Sequence, residues 1–211
     1  MTIFLGSELA QRCNEYGVQA VKSRSHSNPY SYRGAEDDAE LLAASKAAEC
    51  VCAMHFEQPP LTAVRWLIGE PDQGDDLMVG QTLIDVKSVD YHDQFLIWSL
   101  GKSEQVYLRK RFHVMVMVAV EMVADDAWGE CRGWIGKREF LWRKRIADQG
   151  SRLDVGTWHL HQNELHRMAA FPGCVADEPF EHYCWCGEWG TYGHHAPLPK
   201  PHGYFCKEHR P

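Results

Sequence analysis

The segment that most restricts the fold is LMVGQTLIDVKSV, residues 77–89. Gly80-Gln81 is a two-residue Gly-X connection of the kind that closes a tight hairpin between Leu77-Met78-Val79 and the run from Thr82 to Val89. In the second arm, alternation puts Leu83, Asp85, Lys87 and Val89 on one face and Ile84, Val86 and Ser88 on the other. Apolar residues on both faces predict a central strand covered on each side. Asp85 and Lys87 therefore bring opposite charges into a sheet interior, where charge is costly unless it is paired or bound to an ion.

The flanking sequence supplies the rest of an α/β domain. From Asp37 to about Phe56 the chain is rich in Ala and Leu, carries acids in its first turn and stops before Pro59-Pro60, which predicts a helix. Leu42, Glu49, Cys52 and Phe56 are offset by seven, three and four residues, so Glu49 falls on an apolar stripe of that helix and needs a partner there. Val64 to Ile68, QFLIWSL, FHVMVMVAVEM and GTWHLHQNEL predict further strands, and KREFLWRKRIADQG a helix. Residues 22–34, rich in Ser, Pro and Tyr with Lys22, Arg24 and Arg33, predict a flexible basic loop. At 211 residues the expectation is one core over 1–172 and a small module over 173–211.

Glu49, the acidic run GEPDQGDD one hairpin before the strand, and Asp85 bring three acids and the Lys87 ammonium to one sheet, which implies a cation site. Carboxylates suit the hard ions Mg²⁺ and Mn²⁺, and a strand carbonyl such as that of Val86 would complete the shell. Such an ion activates water and stabilises a leaving oxygen, while a nearby ammonium offsets developing charge.

At these residues the sequence resembles the PD-(D/E)XK nuclease superfamily. The matching text is AAECVCAMHF followed by GEPDQGDDLMVGQTLIDVKSV, in a form like that of small nucleases of phages and bacteria. The resemblance implies a restriction-endonuclease-like core, a central mixed β-sheet flanked by helices, over roughly residues 36–122. Position by position, Glu49 matches the helix glutamate, Asp76 the first motif acid, and Asp85 and Lys87 the second acid and the lysine; Asp72 and Asp75 are rivals for the first acid. The implied activity is metal-dependent hydrolysis of DNA, with Glu49, Asp76, Asp85 and the Val86 carbonyl on Mg²⁺ or Mn²⁺. The alternative is a fold of this type that has lost catalysis and serves as scaffold for a zinc-containing module, in the C-terminal tail, that binds DNA or protein.

The tail carries a second pattern. Eight cysteines without an export signal point to metal binding or reduced thiols rather than a disulfide framework. Cys184-x-Cys186 and Cys206-x-x-His209, separated by a Gly- and Pro-rich stretch, supply four ligands for a structural Zn²⁺, with His182, His194, His195, His202 and Cys174 as substitutes. Cys13, Cys50, Cys52 and Cys131 read as core or incidental thiols, and His159, His161 and His166 as polar or capping residues.

Formal charge is −7, so no global positive field draws the protein to nucleic acid and any such contact must be local. Arg109, Lys110 and Arg111, and Arg143, Lys144 and Arg145, are the candidate backbone-phosphate contacts. No apolar run approaches membrane-span length, and the first ten residues lack a signal-peptide pattern, so the expectation is a cytoplasmic protein of a bacterial or phage-infected cell. Partners expected beside DNA are a second copy of the chain or a nucleic-acid-processing protein.

Overall fold

VMVMVAVEMV is apolar on both faces over its first seven residues, and in the computed structural model it forms β5 (Val114–Val123), whose first seven residues are all buried. The structure describes residues 1–24, 35–68, 75–98, 107, 110–123, 126–149, 153 and 155–171, and the backbone of 192–194 and 203–205. β5 is the middle of a five-stranded sheet, with β6 (Asp126–Gly136) and then β1 (Ile3–Phe4) on one side, and β3 (Thr82–Asp90) and then β2 (Leu77–Val79) on the other. β3 and β5 are parallel, with Asp85 opposite Met115 and Lys87 opposite Met117; the other pairings are antiparallel. The sheet is therefore mixed, and the protein is of the α/β class.

Two helices cover one face of this sheet. α1 (Ser7–Arg24) packs on α2 (Ala35–His55), and α2 packs on β3, β5 and β6. Residues 46–53 of α2 are buried without interruption, because α1, the one-turn α3 (Pro60–Ala63) and the sheet enclose that helix. Ile84, Val86, Val114, Val116 and Val118 share a core with Ala47, Cys50, Val51 and Cys52. The opposite face carries a second core, in which Met115, Met117 and Ala119 meet Trp98, Tyr107, Phe112, Phe140 and Leu160. That layer comes from a three-stranded sheet, β4 (Phe95–Trp98), β8 (Trp158–His161) and β7 (Arg145–Ile146), with α4 (Lys137–Arg143).

The hairpin at Gly80-Gln81 forms as its sequence indicates, with Leu77 opposite Ile84 and Gly80 at φ 61°. Three expectations are corrected. Residues 64–68 are not a strand: Pro60 starts α3, and the carbonyls that follow are taken by side chains, that of Arg65 by Lys46 Nζ at 2.7 Å and that of Leu67 by the Tyr16 hydroxyl at 3.4 Å. The expected loop over 22–34 begins later, since α1 continues through Arg24; residues 25–34 lie outside the described set. KREFLWR is helical, but RI of the same stretch joins β8 as β7. β9 (Tyr192–His194) and β10 (Gly203–Phe205) pair antiparallel. Among the described residues, no helix is long and apolar enough to cross a membrane.

Candidate active site at the edge of β3

β2 leaves the sheet at Leu77, and the residue before it closes the gap. The Asp76 N–H donates to the Ile84 carbonyl at 2.8 Å, and Asp76 Oδ2 accepts the Val86 N–H at 2.7 Å. A strand alternates the direction of its backbone polar groups, and the Leu83 carbonyl, which accepts the His113 N–H, faces the β5 side. Ile84 and Val86 therefore face the β2 side, and the Val86 carbonyl points to the edge that Asp76 occupies. Of the rivals for the first acid, Asp75 is held elsewhere, 2.7 Å from the exposed Arg65 guanidinium, and Asp72 lies outside the described residues.

Glu49 reaches this edge from α2. It is 8% exposed, and its Oε2 accepts a 2.6 Å bond from the Nζ of Lys46, itself 6% exposed. Residues 46–53 of α2 are enclosed, so the two charges pair with each other, and Lys46 Nζ also donates to the Arg65 carbonyl. Burial pushes the Glu49 carboxyl well above the usual carboxylate range, the Asp76 charge pushes it further, and Lys46 opposes. Burial works against the charge on Lys46, and Glu49 more than offsets it. The rise at Glu49 governs the pair, because it has the Asp76 charge as well as a lysine beside it. The sequence reading missed Lys46; its signal is a Lys-x-x-Glu spacing inside an otherwise apolar helix.

Asp85 and Lys87 lie on the other face, among the second core. Asp85 is 2% exposed, its Oδ2 lies 2.6 Å from Lys87 Nζ and its Oδ1 3.9 Å from Lys110 Nζ. Both ammoniums sit over the Trp98 ring, at 5.1 and 5.3 Å from its centre. Tyr107 is wholly buried there; burial, and then the Asp85 charge, hold its hydroxyl in the protonated form. Lys137 also feels Asp85, while burial and Arg138 pull its pKa down.

The four matched residues thus surround one edge of β3, with Glu49 on the helix face, Asp76 in the sheet plane, and Asp85 and Lys87 on the opposite face. As oxygen donors, Glu49, Asp76, Asp85 and the Val86 carbonyl fit Mg²⁺ or Mn²⁺ in kind. They are not gathered on one point: among the described residues no group of three His, Cys, Asp or Glu side chains stands close enough to hold an ion. Lys46 already holds Glu49 and Lys87 already holds Asp85, so an ion would have to displace them.

The basic runs fare unequally. Lys110 belongs to the Asp85 cluster, Arg111 is exposed, and Arg109 lies outside the described residues. Arg143 pairs with Glu139 at 2.6 Å and Arg145 with Glu164 at 3.0 Å, while Lys144 lies over Trp158 and donates to the Leu141 carbonyl. His161 caps the short turn at Gln162–Glu164, and His166 bonds Glu139 at 2.7 Å. Cys13, Cys50 and Cys52 are buried free thiols and Cys131 is half-buried. The proposed zinc ligands Cys184, Cys186, Cys206 and His209 lie outside the described residues.

In comparisons with known proteins, no family model, no curated protein and no solved structure matches the chain.

Proposed function

We propose that the chain is a metal-dependent nuclease with a restriction-endonuclease-like core, hydrolysing phosphodiester bonds in DNA. The observation that carries this reading is the 2.7 Å bond between Asp76 and the Val86 N–H. It ties Asp76, which this reading takes as the first acid, to the strand that carries Asp85 and Lys87, at an edge where a backbone carbonyl is also directed. Mg²⁺ or Mn²⁺, held by Asp76, Asp85 and the Val86 carbonyl with Glu49 on the ion or its water, would supply an activated water and a Lewis acid.

The chain's own residues do the rest. Lys87, held by Asp85 and seated on Trp98, offsets the charge that grows on the phosphoryl oxygens as water attacks phosphorus and the ester oxygen leaves. Glu49, pushed toward its neutral form, is suited to exchange a proton with water at this edge. Lys110 positions Asp85 from the far oxygen. Arg111 remains a backbone-phosphate candidate; Lys110 is engaged beside Asp85, and Arg143 and Arg145 reach phosphate only by releasing their glutamates. The C-terminal Zn²⁺ module on Cys184, Cys186, Cys206 and His209 belongs to the same proposal as a structural unit, and the β9–β10 hairpin falls between its two ligand pairs in the sequence.

One observation favours a non-cleaving core that binds DNA or protein. Glu49 and Asp85 are each already held by a lysine, as in a purely structural ion pair. Incubation with single-stranded, nicked and duplex DNA in Mg²⁺ or Mn²⁺, beside Asp76→Asn and Lys87→Gln proteins with wild-type melting curves, separates the two readings. Metal-dependent cutting lost in both variants supports the nuclease. No cutting by the wild type on any substrate moves the assignment to the binding core.

A further inference from the structure

We infer that the surface formed by Arg12, Tyr16, Arg65 and Trp66 is a contact for a single strand of nucleic acid leading to the Glu49–Asp76 edge. This rests on the nuclease reading for its choice of ligand.

The Arg12 guanidinium, exposed on α1, lies 4.8 Å from the centre of the half-buried Trp66 ring. Tyr16, one turn further along α1, meets the same indole edge-on at 6.2 Å and 80°. Lys46 joins this pair to the site: its Nζ is 4.6 Å from the Tyr16 ring centre, 6.0 Å from that of Trp66 and 2.6 Å from Glu49 Oε2. Arg65 is exposed on the other flank and bonds Asp75, the neighbour of Asp76. Leu61 and Leu67, on either side of Arg65 and Trp66 in the sequence, are each more than half exposed.

Cations over aromatic rings beside buried carboxylates match the chemistry of an unpaired strand. Its bases offer free π-faces to Trp66 and Tyr16, and its phosphates take Arg12, with Arg65 joining only by releasing Asp75; a duplex keeps those faces stacked inside. On a protein of net charge −7, the positive charge this patch offers a phosphate is that of Arg12, since Asp75 holds Arg65 and Glu49 holds Lys46. Among the described residues no carboxylate pairs with Arg12, although Glu8 and Glu15 stand one turn to either side of it. A base that displaces the guanidinium from the ring frees Arg12 for the adjoining phosphate.

The test is fluorescence anisotropy of a labelled oligothymidine and of a duplex of equal length, in EDTA so that nothing is cut. Arg12→Glu reverses an exposed charge without touching the core, and Trp66→Leu keeps apolar bulk. Each is expected to weaken single-strand binding about tenfold or more with duplex binding little changed, and Arg12→Glu to reduce the salt slope by about 0.7. Wild-type affinity in both folded variants, or no single-strand binding by the wild type, overturns the inference. A protein that binds through Trp66 yet never cuts keeps this inference and loses the nuclease. One that cuts while both variants bind normally keeps the nuclease and loses this contact.

Discussion

Asp76 Oδ2 and the Val86 N–H meet at 2.7 Å where β2 leaves the sheet, so one carboxylate both satisfies the strand edge and stands at the candidate site. The two roles separate by substitution. Asp76→Asn keeps an oxygen for Val86 and loses the charge, so its stability should stay within about 0.5 kcal/mol of wild type while cutting falls by at least a hundredfold. Asp76→Ala leaves the Val86 N–H without its acceptor and should cost about 1–2 kcal/mol as well. Denaturant midpoints beside cleavage rates check both; an Asn protein that cuts normally removes Asp76 from the chemistry.

Glu49 gives a pH signature. Its folded pKa is raised above its unfolded value by burial and Asp76, so the stability it contributes is complete below the ordinary glutamate pKa and is lost as pH rises through the folded one. Glu49→Gln is neutral throughout and can still accept from Lys46. Relative to wild type the variant should therefore gain stability between pH 4.5 and pH 8, by an amount on the order of 1 kcal/mol or more. Urea titrations at the two pH values decide it, and a variant that loses ground toward pH 8 contradicts the assigned shift.

Lys87 occupies Asp85 Oδ2, so on the nuclease reading it and a divalent cation would compete for that carboxylate. Lys87→Met should accordingly bind Mn²⁺ more tightly, by about tenfold, while cutting DNA far more slowly. Asp85→Ala is a poor probe of chemistry alone, because it leaves Lys87 and Lys110 beside an empty, buried position and should cost about 3 kcal/mol. Titration calorimetry with Mn²⁺ measures the first effect; weaker binding by Lys87→Met would mean that the cation does not use Asp85.

How much of this was legible depends on where the information lies. The β2–β3 hairpin, the face shared by Asp85 and Lys87, and the burial of Glu49 followed from local spacing, because turn chemistry and periodicity are properties of short segments. The partner of Glu49 was missed although Lys46 is three residues away, since an i,i+3 pair reads as surface charge until the helix is known to be enclosed. β6 was missed because Gly129, Gly133 and Gly136 dilute its pattern. Gly129 is there for packing: a Cβ would stand 2.5 Å from the Ala119 carbonyl oxygen of the paired strand. That Asp85 and Glu49 approach β3 from opposite faces is a tertiary fact, set by which side of the sheet α2 covers, and no motif encodes it.

α1 escaped the sequence reading for a related reason: Gly17 sits in its middle, and glycine weakens any helical pattern. The structure explains the residue. A Cβ at Gly17 would lie 2.2 Å from the Ala39 carbonyl oxygen and 3.0 Å from the Ala43 nitrogen, so both obstacles are backbone of α2 and neither is a flexible side chain. The helices approach too closely at this crossing to admit a methyl group, and relief requires α1 to shift. Gly17→Ala should raise helix propensity yet destabilise the protein, by about 1–3 kcal/mol from overpacking. Because Arg12, Cys13 and Tyr16 ride on α1, the shift should also disturb the Arg12–Trp66 contact and the Lys46–Tyr16 contact above Glu49. Melting curves test the first consequence. The second is tested by single-strand binding in EDTA, which should weaken in Gly17→Ala under conditions where the variant remains folded.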